Sequence, residues 1–420
     1  MLYKMNTAGY SAEVDGELQA ILSYWMENAP DIIHGGFFGS IDGQDRPHPE
    51  AAKGLVLNSR ILWAFSAAWR ITGQTMYRPL ADRAYDYLLR FFRDKEYGGA
   101  FWSLDASGQP LDTRKQIYGQ AFALYGLSEY YRASGEKRAL DEALLLFRLI
   151  EQHSFDRRDN GYSEAVVRDN GYSEAFARDN GYSEAFARDW SLLEDVRLSE
   201  KDANDPRTMN THLHILEAYT NLYHVSPDPL LLSRIIGLLG VFDRHIIGAG
   251  GHLGLFFDTH WKSRSNLISY GHDIEAAWLL HEAALVISDN EWITKTSQLA
   301  LRLAAAAAEG LDTDGGLWYE QEDGHLIRQK HWWPQAEAMV GFLQAWQLSG
   351  DQSWWQRSLD SWNFVKKYIR CPDGKEWYWG VEADHSPMPG QDKAGFWKCP
   401  YHNSRACLEI IRRLDQMPTI

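Results

Sequence analysis

Apolar residues along the chain recur with the helical period in some segments and fill whole segments in others. From Leu140 to Ile150 they recur every three or four residues, as on one face of a surface helix. The segments Ile274 to Val286 and Ala336 to Trp346 are apolar on nearly every side, which is typical of buried helices. The two kinds alternate and predict twelve helices, at roughly 13–27, 55–71, 77–93, 116–132, 137–153, 208–224, 229–245, 273–287, 291–309, 334–348, 353–369 and 402–415.

A glycine turn followed by aromatic residues recurs six times between these helices, at a spacing of about sixty residues, which indicates repeated supersecondary units. The turns lie at Gly35–Gly36, Gly98–Gly99, Asn160–Gly161, Gly250–Gly251, Gly315–Gly316 and Asp373–Gly374. Six units that alternate a surface helix with a buried helix form two concentric rings. The pattern therefore predicts an all-α fold, an (α/α)6 barrel of twelve helices, with short β-hairpins at one end. We expect residues 1–420 to form this single domain.

One interval between the turns is longer than the others because a ten-residue unit is repeated in tandem. The copies, each beginning Arg-Asp-Asn-Gly-Tyr-Ser-Glu-Ala, are Arg158–Val167, Arg168–Ala177 and Arg178–Ala187. We expect 158–187 to form a loop insertion at the surface without a function of its own.

Charge and cysteine content exclude several classes of protein. The chain has 420 residues with 42 basic and 57 acidic side chains, a net charge of −15, which disfavours a nucleic-acid partner. No apolar run is long enough to span a membrane, and Met1 to Asp15 lack the apolar core of a signal peptide. Three cysteines do not suggest a disulfide framework. We expect a cytoplasmic protein, monomeric or homodimeric, that binds neither nucleic acid nor membrane.

Polar residues on the apolar helices mark the candidate site. Each hairpin precedes a buried helix, so the hairpins and the N-termini of these helices share one end of the barrel. The polar and aromatic residues there are Asn58, Arg60, Tyr118, Asn210, His212, His214, His272, Asp273, Glu275, Trp332, Trp333, Glu337, His402, Asn403 and Arg405. Charged groups on apolar helices need a partner or a function. Aromatic residues make up 13% of the chain and suit either a core or a sugar site.

Other interpretations of single residues stay open at this point. Arg60 could be a buried ion-pair partner of Glu275 or Glu337. The pairs His214/Glu217 and His272/Glu275 have a spacing that can also bind a metal, but the second carboxylate pair of a di-metal helical site is missing, and we expect no metal. Phosphate-binding loops and a nucleophilic serine elbow are absent from the sequence.

Five motifs in order along the chain resemble the N-acylglucosamine 2-epimerase superfamily. They are Asn58–Trp63, Met209–His214, Ser269–Ala276, His331–Ala338 and Trp397–Asn403. The Pro-Tyr-His-Asn ending is more similar to the cellobiose 2-epimerase branch than to the N-acylglucosamine branch. The family has an (α/α)6 barrel, in agreement with the helix count.

The resemblance implies cofactor-independent epimerisation at C2 of the reducing-end glucose of β-1,4-linked disaccharides, such as cellobiose to glucosyl-mannose or lactose to epilactose. Proton transfer through an enediolate needs two acid/base groups, for which histidine is well suited. The resemblance gives these roles to His272 and His402, ring opening to His214 and enediolate stabilisation to Arg60. The substrate-binding residues that it implies are Asn58, Tyr118, Asp202, Asn210, Glu275, Trp332, Trp333, Glu337 and Trp397.

Three alternatives remain at the level of sequence. One is an N-acylglucosamine 2-epimerase or a mannose aldose–ketose isomerase on the same barrel. Another is a glycoside hydrolase or lyase, which would need a carboxylic acid pair such as Glu275 and Glu337. The third is a sugar-binding protein without catalysis, although binding alone does not call for His214, His272 and His402.

Overall fold

The structure is a computed structural model that describes residues 7–156 and 180–416. Twelve α-helices lie in these residues: α1 Thr7–Asn28, α2 Leu55–Thr72, α3 Arg78–Tyr87, α4 Ile117–Ser134, α5 Lys137–His153, α6 Met209–Tyr223, α7 Pro229–Val241, α8 Tyr270–Ile287, α9 Asn290–Ala307, α10 Trp332–Ser349, α11 Gln352–Phe364 and α12 Tyr401–Asp415. All twelve predicted helices are present. The first begins six residues before its predicted start because Tyr10 extends its buried stripe.

The even-numbered helices form a closed inner ring. Helix α2 packs against α4, α4 against α6, and so on through α8 and α10 to α12, which returns to α2. Each odd-numbered helix packs on the outside of this ring, α1 against α12 and α3, α5, α7, α9 and α11 each against an inner neighbour. The (α/α)6 barrel predicted from the alternation of striped and fully apolar helices is confirmed.

Short antiparallel strands collect at one end of the ring. Their bounds are β1 Lys53–Gly54, β2 Ser103–Leu104, β3 Pro110–Asp112, β4 Lys115–Gln116, β5 Ala185–Phe186, β6 Arg207–Thr208, β7 Phe256–Phe257, β8 Ile268–Ser269, β9 Glu320–Glu322, β10 His325–Ile327, β11 Lys330–His331 and β12 Gly380–Val381. They pair as β1–β2–β3, β4–β5, β6–β7, β8–β9–β10 and β11–β12. Five of the inner helices begin directly after one of these strands, so the strands fix where each of those helices enters the barrel.

The fourth residue of an inner helix fastens the helix to a hairpin. Gln120 accepts from the backbone N–H of Ala100 at 2.8 Å and donates to the Ala100 carbonyl at 2.9 Å. Gln335 makes the same two bonds with Leu317, at 2.7 and 2.8 Å. Gly99 has a positive φ of 70°, and a Cβ there would lie 2.9 Å from the amide oxygen of Gln120. Glycine at position 99 is therefore required by this close approach and by the positive φ.

Buried ion pairs join the same hairpins to the ring. In the described part of the chain a cation stands two or three residues before five of the inner helices and binds a hairpin carboxylate. The pairs are Lys53 with Asp31, Lys115 with Asp94, Arg207 with Asp156, Lys330 with Asp312 and Asp314, and Lys398 with Glu376. Removing one partner would leave a buried charge without its counter-charge and would lower the free energy of unfolding by about 3–5 kcal/mol.

The third copy of the tandem unit is built into this end of the barrel. Its strand β5 pairs with β4, and the Tyr182 hydroxyl donates to Glu151 at 2.8 Å. The Asp156 N–H donates to the Gly181 carbonyl at 2.9 Å, so this copy completes the hairpin of its repeat. The rest of the loop insertion predicted at 158–187, residues 158–179, lies outside the described residues. None of the described helices combines the length and the apolar character of a membrane span.

Candidate active site

The inner helices present their functional side chains in two layers. The sixth residues of α2, α6, α8 and α10 are Arg60, His214, Glu275 and Glu337. The second residues of α4, α6, α10 and α12 are Tyr118, Asn210, Trp333 and His402, and His272 is the third residue of α8. Four residues of helix span about 6 Å. Because these helices enter the barrel at equivalent points, their second and third residues lie near the barrel mouth and their sixth residues lie about one turn deeper.

Three imidazoles in these layers are held through their Nδ1 atoms. The Nδ1 of His402 lies 2.7 Å from Glu337 Oε1, and that of His214 lies 2.8 Å from Glu217 Oε2. The Nδ1 of His272 lies 2.8 Å from the Ser269 hydroxyl. A carboxylate accepts the Nδ1 proton, so Nε2 is the free nitrogen of His402 and His214 in the neutral state.

Burial sets the charge state of these histidines. Desolvation lowers the pKa of His272 to about 3, with a further contribution from the nearby His214. Burial also lowers the pKa of His214, and it lowers the pKa of His402 well below the ordinary value, helped by the positive charges of Arg60 and Arg405. In the free protein all three imidazoles are therefore neutral near pH 7 and carry a basic lone pair.

Arg60 is a buried cation packed among the aromatic rings of the site. Its Nη2 donates to the Tyr118 hydroxyl at 2.8 Å, and its guanidinium lies over the rings of Phe122 and Tyr401, 4.1 and 4.8 Å from their centroids. Its buried Nε has no hydrogen-bond partner among the described residues. Arg60 does not form the ion pair with Glu275 or Glu337 that the sequence left open, because Arg405 binds both carboxylates.

Arg405 links the carboxylates beneath the histidines. Its Nη2 lies 2.5 Å from Glu275 Oε1 and 2.7 Å from Glu337 Oε1, and its Nη1 donates to Glu217. Trp278 donates its indole N–H to Glu337 Oε2 at 2.9 Å. A continuous path of hydrogen bonds thus runs from His214 through Glu217, Arg405 and Glu337 to His402. The sequence marks Arg405 as a charge on an apolar helix, but its position as a hub requires four helices to converge.

One group of side chains in this cluster has the composition of a metal site. Ligand atoms of Glu275, Glu337 and His402 lie within 4.8 Å of one another. The Arg405 guanidinium already binds both carboxylates of this group, and a second cation would meet its positive charge. The donor set is therefore better explained by its own arginine than by a metal ion.

The aromatic residues of the site differ in how far they are open. Trp333 is half-buried, and its ring centroid lies 4.7 Å from that of His272 and 5.7 Å from that of His402. Trp397 is also half-buried, beside Trp102 at 5.9 Å and Tyr118 at 6.1 Å. Trp332 is buried, so it supports the site from behind, whereas Trp333 and Trp397 offer ring surface to a ligand.

Asn58, Asn210 and Asp202 complete the predicted set. Asn58 is fully buried at the fourth position of α2, and its amide donates to the Gly54 carbonyl at 2.9 Å, which groups it with the hairpin-fastening residues. Asn210 has a buried Oδ1 without a partner in the described chain. Asp202 lies on the loop before β6 and accepts two bonds from Ser199, each of 2.8 Å. The structure does not place Asp202 in the histidine layers.

His212 is a structural histidine. Its Nε2 accepts from the backbone N–H of Tyr182 at 2.9 Å, and its Nδ1 lies close to the Thr208 carbonyl. Burial lowers its pKa to about 3. Both nitrogens are therefore used in holding the third hairpin. A cavity of about 710 Å³ beside Arg114 and Leu193 lies outside the histidine cluster and is lined by none of these residues.

A closed helical barrel that gathers imidazoles, a guanidinium and buried carboxylates in one cluster has the groups of an enzyme active site. Comparison with known proteins specifies which one. A model of the family described as N-acylglucosamine 2-epimerase (GlcNAc 2-epimerase) matches residues 36–186 and 182–406, and the chain belongs to this family. Within the family it groups with the cellobiose 2-epimerases and is a carbohydrate epimerase.

The most similar relatives align over nearly the whole chain. The cellobiose 2-epimerase of Bacteroides fragilis is 48% identical over 394 residues, 93% of this chain and 95% of its own length. The solved cellobiose 2-epimerase of Bacillus thermoamylovorans superposes with a TM-score of 0.87 at 39% identity, covering 97% of this chain and 100% of that one. A D-mannose isomerase has a TM-score of 0.79 at 20% identity over 96% of this chain and 98% of that one, which shows a shared fold.

Proposed function

We propose that this epimerase inverts C2 of the reducing-end glucose of β-1,4-linked disaccharides, converting cellobiose to glucosyl-mannose and lactose to epilactose. The observation that carries the proposal is that His272 and His402 both contact the ring of Trp333, each with Nδ1 tied to another group. Inversion at a single carbon requires two acid/base groups, one for each face of C2, and these two imidazoles lie beside the same half-buried indole. The cellobiose 2-epimerase relatives point to the same substrate class.

The reaction begins with opening of the pyranose ring to the free aldehyde. One imidazole then takes the C2 proton on its Nε2, and the electron pair moves to the aldehyde oxygen to give an enediolate. The other imidazole, protonated, delivers a proton to the opposite face of C2. The Arg60 guanidinium, which keeps an unpaired Nε, is the group suited to stabilise the enediolate oxygens.

The partners of the two imidazoles give them different tasks. The Glu337 carboxylate beside His402 favours the imidazolium form, whereas the Ser269 hydroxyl beside His272 carries no charge. Both imidazoles are neutral in the free protein near pH 7. We assign the proton that is taken up in the substrate complex to His402, and the role of the neutral base in the first half of the reaction to His272. His214, backed by Glu217, lies edge-on to Tyr118, with ring centroids 5.1 Å apart, and is assigned to ring opening.

The second sugar ring is assigned to the surface of Trp397. This indole is half-buried beside Tyr118 and Trp102, so one part of its ring remains available for stacking. The proposal thus assigns the reducing end to Trp333 and the second ring to Trp397.

The test follows the products of cellobiose and lactose by NMR in D2O with EDTA-treated protein. The expected product is the 4-linked mannose epimer deuterated at C2. The variants His272→Gln and His402→Gln should lose turnover while retaining sugar binding, and His48→Gln, whose side chain is 45% exposed, serves as the matched control. Free glucose would indicate hydrolysis, and a ketose as the main product would indicate an isomerase; either result overturns the proposal.

A further inference from the structure

The fourth repeat of the barrel is joined to its hairpin differently from the others. In the first, second and fifth repeats the hairpin turn starts at an aspartate whose N–H donates to the glycine end of the turn, as Asp312 does to Gly316 at 2.9 Å. In the fourth repeat the equivalent residue is Gly248, whose N–H donates to the His252 carbonyl at 2.8 Å. The cation position before the inner helix is likewise occupied by Ile268. Both members of the permanent ion pair are therefore replaced.

A titratable pair takes over this junction. The Nδ1 of His252 on the hairpin lies 2.7 Å from Oδ2 of Asp273 on α8, and the N–H of Leu253 donates to Oδ1 at 2.8 Å. Asp273 is fully buried, whereas the His252 side chain is 18% exposed. In the other repeats the carboxylate lies on the hairpin and the lysine or arginine lies before the helix. In the fourth repeat the carboxylate lies on the helix, and the cation on the hairpin is a histidine.

The residue before Asp273 is His272, the base of the proposed reaction. Successive helical residues point about 100° apart, so Asp273 faces the hairpin while His272 faces Trp333 and the site. Whatever holds the Asp273 side chain therefore holds the first turn of α8 and the imidazole beside it. We propose that His252 is a positioning residue whose proton fixes the first turn of α8, and with it His272. This inference rests on the proposed function, because it gives His272 a role in turnover.

The charges around His252 set the direction of the effect. Asp273 contacts one nitrogen, and Glu309 after α9 lies 3.4 Å from the other; the Tyr270 ring lies edge-on at 6.0 Å, and Arg302 on α9 donates to the Gly248 carbonyl. The hydrogen bond to Asp273 raises the pKa of His252 above its ordinary value. The imidazolium–carboxylate attraction is therefore present at low pH and is lost as the pH rises through the raised pKa.

The experiment compares kcat of the wild type with kcat of His252→Gln from about pH 5.5 to about pH 9, the range in which histidine titrates. The ratio cancels every titration common to both proteins, including that of the site histidines. We expect the ratio to be about five- to tenfold at low pH, as for a small misplacement of a reacting group, and to approach one at high pH, with KM little changed.

Two further proteins make the comparison specific. His385→Gln is the matched control, because His385 also binds a hairpin aspartate, Asp314 at 2.6 Å, but Lys330 holds that aspartate with a permanent charge. Its kcat should follow the wild type at every pH. The substitutions Gly248→Asp and Ile268→Lys, added to His252→Gln, restore the permanent pair of the other repeats and should recover kcat without the pH-dependent ratio.

An NMR titration of the wild-type imidazoles, with the His252 signal assigned from its loss in His252→Gln, measures the same proton without turnover. A His252 pKa above about 6.5, its unperturbed value, is expected. A ratio that does not change with pH, or a His252 pKa at or below the unperturbed value, overturns the inference. Retention of full turnover by His272→Gln would instead overturn the proposed function, and the NMR titration would still report on the pair.

Discussion

Replacement of Glu337 by glutamine tests whether the carboxylate network sets the proton on His402. Glu337 accepts three hydrogen bonds, from His402 and Arg405 at 2.7 Å each on Oε1, and from Trp278 at 2.9 Å on Oε2. An amide keeps one acceptor oxygen. If the amide oxygen accepts from His402 and Arg405, the amide NH2 group lies against the indole N–H of Trp278, and two donors face each other. If the amide is turned round, its NH2 group faces the Arg405 guanidinium instead.

The magnitude follows from these bonds. A bond to a charged group contributes about 1.5–3 kcal/mol and a neutral one about 0.5–1.5 kcal/mol, so loss of the carboxylate weakens the imidazolium of His402 by about 1–2 kcal/mol. One pKa unit corresponds to about 1.4 kcal/mol, so the pKa of His402 should fall by roughly a further unit. If turnover needs that proton, kcat near pH 7 should fall at least about tenfold, and the decline of kcat with rising pH should begin about one unit lower.

The assay is the pH dependence of kcat for lactose epimerisation, with the melting temperature measured in parallel. Glu129→Gln is the matched control, because Glu129 is equally buried and accepts from Arg70 at 2.6 Å and Arg132 at 3.1 Å, at the opposite end of α4. Both variants should lose stability, and only Glu337→Gln should change kcat and its pH dependence. A Glu337→Gln enzyme with the wild-type pH profile would refute the assignment.

Four other measurements follow from the structure. Deletion of residues 158–177 should leave activity and melting temperature within error of the full chain, because the third copy forms β5 and its hairpin; loss of folding would contradict this. Trp397→Ala should raise KM for cellobiose more than KM for glucose, by a factor that corresponds to about 0.5–1.5 kcal/mol of lost stacking, and an equal change for both sugars would count against it. Burial raises the pKa of Glu184 to about 8, so Glu184→Gln should gain stability relative to the wild type as pH rises from about 5 to about 8, in thermal melts; a constant difference would contradict the shift. EDTA should leave turnover unchanged, because Arg405 occupies the carboxylates of Glu275 and Glu337; inactivation reversed by a divalent ion would disprove this.

Hydrophobic periodicity was sufficient to predict the barrel. The segment from Ile274 to Val286 is apolar all round because α8 is enclosed by its ring neighbours and α9, and Leu140 to Ile150 is striped because α5 has one face in water. Both patterns are local in the sequence. Helix α8 begins three residues before its predicted start, and α10 begins two residues before. In both cases the helix begins directly after a paired strand, β8 or β11, which fixes its first residue.

The site was predictable as a set of residues but not as a network. His402 and Glu337 lie 65 residues apart, and their hydrogen bond depends on the angle between α10 and α12, which no local pattern encodes. The same holds for Arg405 and its carboxylates. One structural signal was available in the sequence: a lysine or arginine recurs shortly before most buried helices, with an aspartate ahead of the preceding glycine turn. That recurrence identifies the hairpin ion pairs.

Separation of structural and chemical positions along each inner helix explains how one barrel can hold this chemistry without losing its fold. The fourth residue, such as Gln120 or Gln335, uses its side-chain amide to bind a hairpin backbone. The sixth residue, two positions further, points about 200° around the helix and faces the axis, where His214 and Glu337 lie. Substitutions at the sixth position therefore alter the site while the hairpin bonds keep the helix in place. In the fourth repeat this fourth residue is Asp273, which binds the hairpin at Leu253 and His252 and lies next to His272 in the chain, so a change in charge at the hairpin can reach the site there.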